Sequence, residues 1–321
     1  MARERCFQIT EMAKKIVSSA GAVCVVDWGS SRGRASFIDD GKIVDSVEWE
    51  EGILHGALTD KRSYLDLQIA GKLQKYDVPT VLGFGMIGSR SGLAETPYLP
   101  CPVSSQEWVA GAISAGQIGP ADLFIFPGVS TSQSPGHLSS VMRGEEAEVF
   151  SVADLSGSSI AILPGTHSKW VTLEEGRIQN FETYPTGEVF QHWKTSGSLS
   201  PLIGLHDEIS TYGFTWGMNL AEKSDDPMAA LFSIRSSCLL GEITTKEVVG
   251  AISGLLIRSE VRSGLASTGR EEDFALIGSG IYTDLYVQAF AAEGIAIKHF
   301  APSHIALVNT WQTRVPLRSN S

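Results

Sequence analysis

The feature that most narrows the fold of this 321-residue chain is a unit that occurs twice. An apolar run (Val23, Val25, Val26) ends at Asp27-Trp28-Gly29-Ser30-Ser31. Two strand-like runs follow, Arg34–Ile38 and Lys42–Val47, with Asp39-Asp40-Gly41 between them. Far downstream, Ile160-Ala161-Ile162-Leu163 ends at Pro164-Gly165-Thr166-His167-Ser168. Lys169–Leu173, Glu174-Glu175-Gly176 and Arg177–Phe181 then repeat the plan. An acidic residue followed by Gly between β-type runs signals a tight hairpin. Gly29 to Gly41 spans twelve positions and Gly165 to Gly176 spans eleven, so the copies are nearly in register. Strand, Gly-hydroxyl turn and acidic-Gly hairpin in the same order indicate duplication.

Helical and further strand patterns follow each copy. In the first half, Leu65, Ile69, Leu73 and Tyr76 fall at helical spacing, and strands are expected at Thr80–Phe84 and Leu123–Phe126. In the second half, Lys246–Leu265 has a helical pattern. Ala275–Ile277 then leads through Gly278-Ser279-Gly280 into a helix from about Thr283 to Ala292, and Ile295–His299 closes the series. These patterns predict an α/β fold of two related halves, with mixed sheets facing one another across a cleft. The predicted organisation is an N-terminal extension at 1–20, a first domain at 21–150, a second at 151–300 and a tail at 301–321. The border is expected in the Gly/Ser-rich stretch 151–158.

Composition excludes some classes of partner. A formal charge of -11 argues against nucleic acid, whose phosphates call for a basic surface. No apolar run reaches the length needed to span a bilayer, and residues 1–20 lack the uninterrupted apolar core of a signal peptide. Cys6, Cys24, Cys101 and Cys238 are far apart, which suits a reducing, cytoplasmic compartment.

Four segments carry candidate chemistry. A strand ending in a carboxylate, then Gly and hydroxyls, lets Gly29, Ser30 and Ser31 approach phosphates and puts Asp27 where it can hold hydrated Mg²⁺. In isolation the same string describes an ordinary strand-end turn. The second turn, Gly165-Thr166, would grip a polyphosphate from the other side. Leu163 stands there in place of Asp27, so one half alone offers a carboxylate at that corner. Gly278-Ser279-Gly280 allows a flat ring to lie against the backbone before a helix N-terminus. In Met142-Arg143-Gly144-Glu145-Glu146-Ala147-Glu148, either Glu145 or Glu146 could serve as a general base. The same acids also suit the first turn of a helix. The Gly/Ser/Pro-rich stretch 83–102, with Met86, Ser89 and Arg90, would form a substrate wall with Arg90 available to a carboxylate, and His167 could bind phosphate or substrate.

These motifs together resemble the phosphate, connecting and adenosine segments of the acetate-and-sugar-kinase, actin and heat-shock ATPase superfamily. More narrowly, Val26–Ser31, Gly83–Ser89, Pro97-Tyr98-Leu99, Val141–Glu146, Leu163–Val171, Thr186-Gly187-Glu188 and Ser253–Ile257 resemble the 2-dehydro-3-deoxygalactonokinases. The resemblance implies two ribonuclease-H-like (actin-like ATPase) domains and ATP- and Mg²⁺-dependent phosphorylation of a small sugar acid at its 6-hydroxyl. It implies phosphate contacts at Gly29–Ser31 and Gly165–Thr166, adenosine contacts at Gly278–Gly280, and Mg²⁺ organised through water by Asp27, with Ser89, Arg90, Arg143, His167 and Lys169 as the candidates for binding the substrate carboxylate. A homodimer is compatible with this reading. The chain departs from the family pattern in residues 1–20 and in a tail without the expected Gly/Ala-rich helical ending. A phosphohydrolase of the exopolyphosphatase type and a nucleotide-dependent sensor are the competing readings on the same fold.

Overall fold

The computed structural model describes residues 21–314 apart from 57, 134–137, 204–207 and 225. The expected N-terminal extension therefore lies outside the described residues, as does the end of the tail. The chain divides into two compact units. One contains residues up to Leu155 together with 174–180 and the segment from Ser303 onward; the other contains Ser156–Leu173 and Phe181–Pro302.

In the first unit, β1 (Val23–Trp28), β2 (Gly33–Asp39) and β3 (Lys42–Trp49) form an antiparallel meander. β4 (Thr80–Gly85) and β8 (Ala121–Ile125) extend it in parallel, and β7 (Ile113–Ile118) closes the edge antiparallel to β8. The sheet order is β3-β2-β1-β4-β8-β7. Helix α1 (Lys61–Lys75) starts at Asp60, whose carboxylate accepts the Ser63 N–H, and it buries Leu65, Ile69 and Leu73 in the core beside the sheet. A second sheet, β10-β9-β5, comprises β5 (Tyr98–Pro100), β9 (Gly128–Thr131) and β10 (Ser140–Met142). Part of the stretch expected as a loop is thus a strand. α2 (Ser105–Ala110) begins with a capping box between Ser104 and Glu107.

The second unit repeats the order. β11 (Ile160–Leu163) pairs antiparallel with β12 (Ser168–Glu174) and parallel with β14 (Phe274–Ile277), which pairs parallel with β15 (Ile297–Phe300). With β13 (Arg177–Tyr184) the order β13-β12-β11-β14-β15 matches β3-β2-β1-β4-β8 strand for strand. Even the hairpin turns agree: Asp40 and Gly41 have φ of 46° and 69°, and Glu175 and Gly176 have 50° and 72°. Two consecutive left-handed residues make the turn whose twist suits adjoining strands. At the tip of the second hairpin, Arg177 and Ile178 group with the first unit and pair with Ser104 and Val103 of β6 (Val103–Ser104). The expected α/β architecture of two related halves with mixed sheets is therefore present.

Six helices depart from simple expectation. Residues 151–156 end helix α3 (Glu146–Ser156), so the expected border stretch is partly helical. The helices α4 (Thr186–Thr195), α5 (Ser200–Ile203), α6 (Thr211–Lys223) and α7 (Pro227–Leu239) fill a region with no assigned elements in the sequence reading. α8 (Val248–Thr268) packs against α6 through facing small residues: a Cβ on Gly217 would lie 2.1 Å from Ala251 O, and one on Gly254 2.0 Å from Phe214 O. Finally, α9 (Ile281–Ala292) fills the expected late helix, and α10 (Ile305–Arg314) occupies part of the predicted tail and belongs to the first unit. Among the described residues no helix is long and apolar enough to cross a membrane.

Candidate active site

The first turn is anchored from behind. Trp28 is buried, stacks on Tyr64 with centroids 5.9 Å apart, and donates its indole N–H to Glu51 O at 2.9 Å. Gly29 donates its N–H to Arg32 O and accepts the Ile53 N–H, so its backbone is consumed in holding the turn. Ser30 and Ser31 are exposed. Gly29-Ser30-Ser31-Arg32-Gly33 also spells Gly-x-Ser-x-Gly. It joins two antiparallel strands rather than a strand to a helix, so it is not a hydrolase nucleophile elbow.

Asp27 stands directly opposite Arg34 across β1 and β2. Arg34 Nε and Nη2 approach Asp27 Oδ2 at 3.0 and 2.9 Å, and Nη2 also donates to Glu148 Oε1 at 3.0 Å. One guanidinium thus bridges two carboxylates. Burial raises the Asp27 carboxyl above its usual range; Arg34 opposes that and Glu145 adds to it. Burial likewise pushes Glu148 up to about 7. The backbone closes in beside Asp27 at two glycines. Gly85 (φ 86°) would carry a Cβ 3.3 Å from Asp27 Oδ1, and Gly144 (φ 124°) one 3.2 Å from Gly85 Cα. Both conformations and both contacts favour glycine. His304, on the chain leading into α10, packs edge-on to Phe84 with centroids 5.0 Å apart; burial, with Arg34 nearby, holds its imidazole down at about 3 and hence neutral.

The two candidate bases differ sharply. Glu146 opens α3 and is wholly buried. Its Oε2 accepts the Gly144 N–H at 2.6 Å, while Oε1 has no hydrogen-bond partner. Burial, with Glu145 nearby, pushes its carboxyl up to about 8. Glu145 is half-buried, accepts the Arg143 N–H at 3.0 Å, and lies close enough to Asp27, Glu146 and Glu148 to raise all three. Arg143 is committed to the adjacent wall. It donates to Thr96 O at 2.9 Å and to Thr96 Oγ1, and its guanidinium lies 4.3 Å from the Tyr98 ring centroid. Met86 opens a short 3₁₀ turn whose carbonyl accepts the Ser89 hydroxyl at 2.7 Å. Arg90 is far out in solvent, 3.6 Å from the Glu95 carboxylate.

In the second unit, Gly165, Thr166 and His167 form an exposed turn. Gly187 backs it so closely that a Cβ there would lie 2.5 Å from Gly165 O, and the Glu188 N–H donates to Thr166 O at 3.0 Å. His167 pairs with Glu188 at 2.8 Å on the surface. Lys169, opposite Leu163, is buried and turns its ammonium back to His167 O at 3.2 Å. The duplicated position that holds Asp27–Arg34 in one unit therefore holds Leu163–Lys169 in the other. Gly278–Gly280 joins β14 to α9, with Ser279 and Gly280 exposed.

Mg²⁺ held largely by protein side chains does not suit this chain, since among the described residues no cluster of three or more His, Cys, Asp or Glu could hold a metal ion. Contact through water from a single carboxylate does fit: Asp27 sits at the strand end beside exposed Ser30 and Ser31, with only Oδ2 engaged by Arg34.

The profile of the 2-keto-3-deoxy-galactonokinase family matches residues 27–312, from Asp27 itself to the last helix. The chain belongs to this family. It is 31% identical over 270 residues to the 2-dehydro-3-deoxygalactonokinase of Escherichia coli, covering 84% of this chain and 89% of that one. A Rhizobium meliloti protein assigned the same activity is 31% identical over 288 residues, covering 88% and 93%. A solved structure from Sinorhizobium meliloti, assigned likewise, superposes with a TM-score of 0.78 at 28% identity, covering 91% of this chain and 97% of that one. The 2-keto-3-deoxy-galactonokinase match thus includes both turns, the acidic segment and Gly278–Gly280.

Sequence reading overlooked Arg34, His304 and Glu260, the last a buried acid on α8 that accepts the Trp170 indole N–H at 2.9 Å, and gave Glu148 only a capping role. The signal for Arg34 was available, because once β1 and β2 pair across the four-residue turn 29–32, position 34 must oppose position 27. His304 and Glu260 carry no local signal; they acquire meaning only through contacts far apart in sequence.

Proposed function

We propose that this chain is a sugar-acid kinase that transfers the γ-phosphoryl group of ATP to the 6-hydroxyl of 2-dehydro-3-deoxygalactonate. The product is 2-dehydro-3-deoxy-6-phosphogalactonate. The observation that carries the reading is the family match over residues 27–312, which contains every segment expected to handle phosphate. The exopolyphosphatase-type alternative is not favoured by it.

In this reading the new bond forms between the sugar-acid oxygen and the γ-phosphorus as the bond to the β–γ bridging oxygen breaks and ADP departs. The acceptor hydroxyl must lose its proton. Glu145 is the better base because it is half-buried and so reachable by a ligand, whereas Glu146 is sealed beneath Gly144 and protonated near neutrality. Glu146 would shape the Gly144 backbone instead. Asp27 would orient hydrated Mg²⁺, which when bound offsets charge on the transferring phosphoryl group. Ser30, Ser31, Gly165 and Thr166 would contact phosphates, and Gly278, Ser279 and Gly280 the adenosine. With Arg143 held by Thr96 and Tyr98, recognition of the sugar-acid carboxylate falls to Ser89, Arg90, His167 or Lys169. An ATP-rich cytoplasm suits this activity, and Cys24, Cys101 and Cys238 are free thiols.

The test is ADP release from Mg-ATP with 2-dehydro-3-deoxygalactonate, its gluconate epimer and neutral sugars. Strong stimulation by the first is expected. Equal phosphate release with and without any acceptor would overturn the kinase reading in favour of hydrolysis.

A further inference from the structure

The second unit buries a carboxylate that the proposed chemistry does not use. Glu260, on α8, is 3% exposed, and the groups that donate to its carboxylate are neutral. Trp170 Nε1 donates to Oε1 at 2.9 Å, Tyr286 Oη donates to Oε2 at 2.6 Å, and Thr186 Oγ1 donates to Oε2 as well. Those three residues come from β12, α9 and the first turn of α4, which are the elements around the Gly165–Ser168 turn.

The bonds have a polarity. Because Tyr286 gives its only hydroxyl proton to Glu260, it must accept from Ser168 Oγ at 2.9 Å. Ser168 Oγ has then given its proton away and accepts the Gly165 N–H at 3.4 Å. The directions run Gly165 to Ser168 to Tyr286 to Glu260. A second arm runs through Thr186, whose neighbour Gly187 presses on Gly165 and Thr166. Only an all-acceptor group satisfies three donors at once, and a carboxylate is one.

We infer that Glu260 is a positioning residue for phosphate binding: through Tyr286–Ser168 and through Thr186 it fixes the Gly165–Thr166 turn in the shape that grips ATP phosphates. This rests on the reading of Gly165–Thr166 as a phosphate turn. Both arms end on Oε2, so the variant that tests them is Glu260→Leu, which removes every acceptor and breaks both at once. Tyr286→Phe cuts the Ser168 arm alone and leaves the Trp170 and Thr186 bonds in place.

The experiment compares calorimetric binding of ADP and of adenosine to the full chain, with Thr166→Val as a control on the turn itself. For Tyr286→Phe, ADP affinity should fall about 3- to 10-fold with adenosine affinity unchanged. Glu260→Leu should lose at least as much, and the KM for ATP should rise in both variants while the KM for the sugar acid holds. Unchanged ADP affinity in Tyr286→Phe, or equal losses for ADP and adenosine, would overturn the relay. If Glu260→Leu does not fold, Tyr286→Phe and Ser168→Ala carry the test. Should Thr166→Val also leave ADP binding untouched, the phosphate reading of the turn itself fails, and the relay with it. A weaker ADP complex in Thr166→Val alone would sink only the relay.

Discussion

Arg34 lies across the β1–β2 ladder from Asp27 and bonds it through two nitrogens, at 3.0 and 2.9 Å, while the same guanidinium holds Glu148. It is the cation that lets two acids share a largely enclosed corner with Glu145 nearby. Replacing it by Met keeps the stem and removes the charge, leaving both carboxylates unpaired. Arg34→Met should cost about 1–3 kcal/mol in urea unfolding near neutral pH, the usual penalty for stranding a partly buried charge. Adding Glu148→Gln to that variant should recover part of the loss. Full additivity of the two changes would mean that the bond seen here does not couple them.

Glu145→Gln and Glu146→Gln should separate the two adjacent acids. The first should lower kcat about 10²–10⁴-fold, the range for loss of a general base, with little change in KM for ATP. Glu146→Gln can still accept the Gly144 N–H and should stay within about tenfold of the parent, well short of losing a base. Reversed magnitudes would transfer the role to Glu146.

Much of this was legible in the sequence, for a local reason. The hairpins end in Asp40-Gly41 and Glu175-Gly176, and tight turns of that kind announce themselves in two or three residues. The core strands and the long helix at 248–268 are likewise set by periodic apolar runs. The short strands β5, β9 and β10, of three or four residues, were invisible because so few positions show no period. The partners of the site residues were hidden for a different reason. Arg34 to Glu148 spans 114 positions and Trp170 to Glu260 spans 90, so those contacts exist only once the sheets and helices have assembled. Glu148 shows the ambiguity: it does sit in the first turn of α3, as a capping acid would, and it also binds Arg34.

Asp27→Asn tests the metal assignment. The amide keeps the size but not the charge, so binding of hydrated Mg²⁺ should weaken while adenosine contacts remain. We expect kcat to fall about 10²-fold or more, comparable to removing one preorganised electrostatic contact, with half-saturating Mg²⁺ shifted upward and KM for ATP changed less. A Mg²⁺ titration superimposable on the parent's would remove Asp27 from metal binding whatever happened to kcat.

Glu146 also gives the protein a stability signature with pH. Its carboxyl rises from 4.5 to about 8 in the folded chain, because burial disfavours the ionised form and Glu145 lies beside it. Across that window the folded protein keeps a proton that the unfolded chain releases. The folded state therefore binds more protons, and stability must fall as pH rises. Glu148 adds a slope of the same sign that ends near 7. Glu146→Gln has no proton to lose and still accepts the Gly144 N–H, so its stability relative to the parent should climb across the window. Urea unfolding at about pH 5 and about pH 8 measures this. Near the lower value the two proteins should differ little. Near the higher one the Gln variant should lead by about 1–3 kcal/mol, of the order expected for one uncompensated buried polar group. Part of the residual slope in the variant belongs to Glu148, so the slope should flatten further in Glu146→Gln with Glu148→Gln. A difference between parent and Glu146→Gln that stayed constant with pH would mean that Glu146 is ionised in the folded protein, and Glu146 would then regain its claim to be the base.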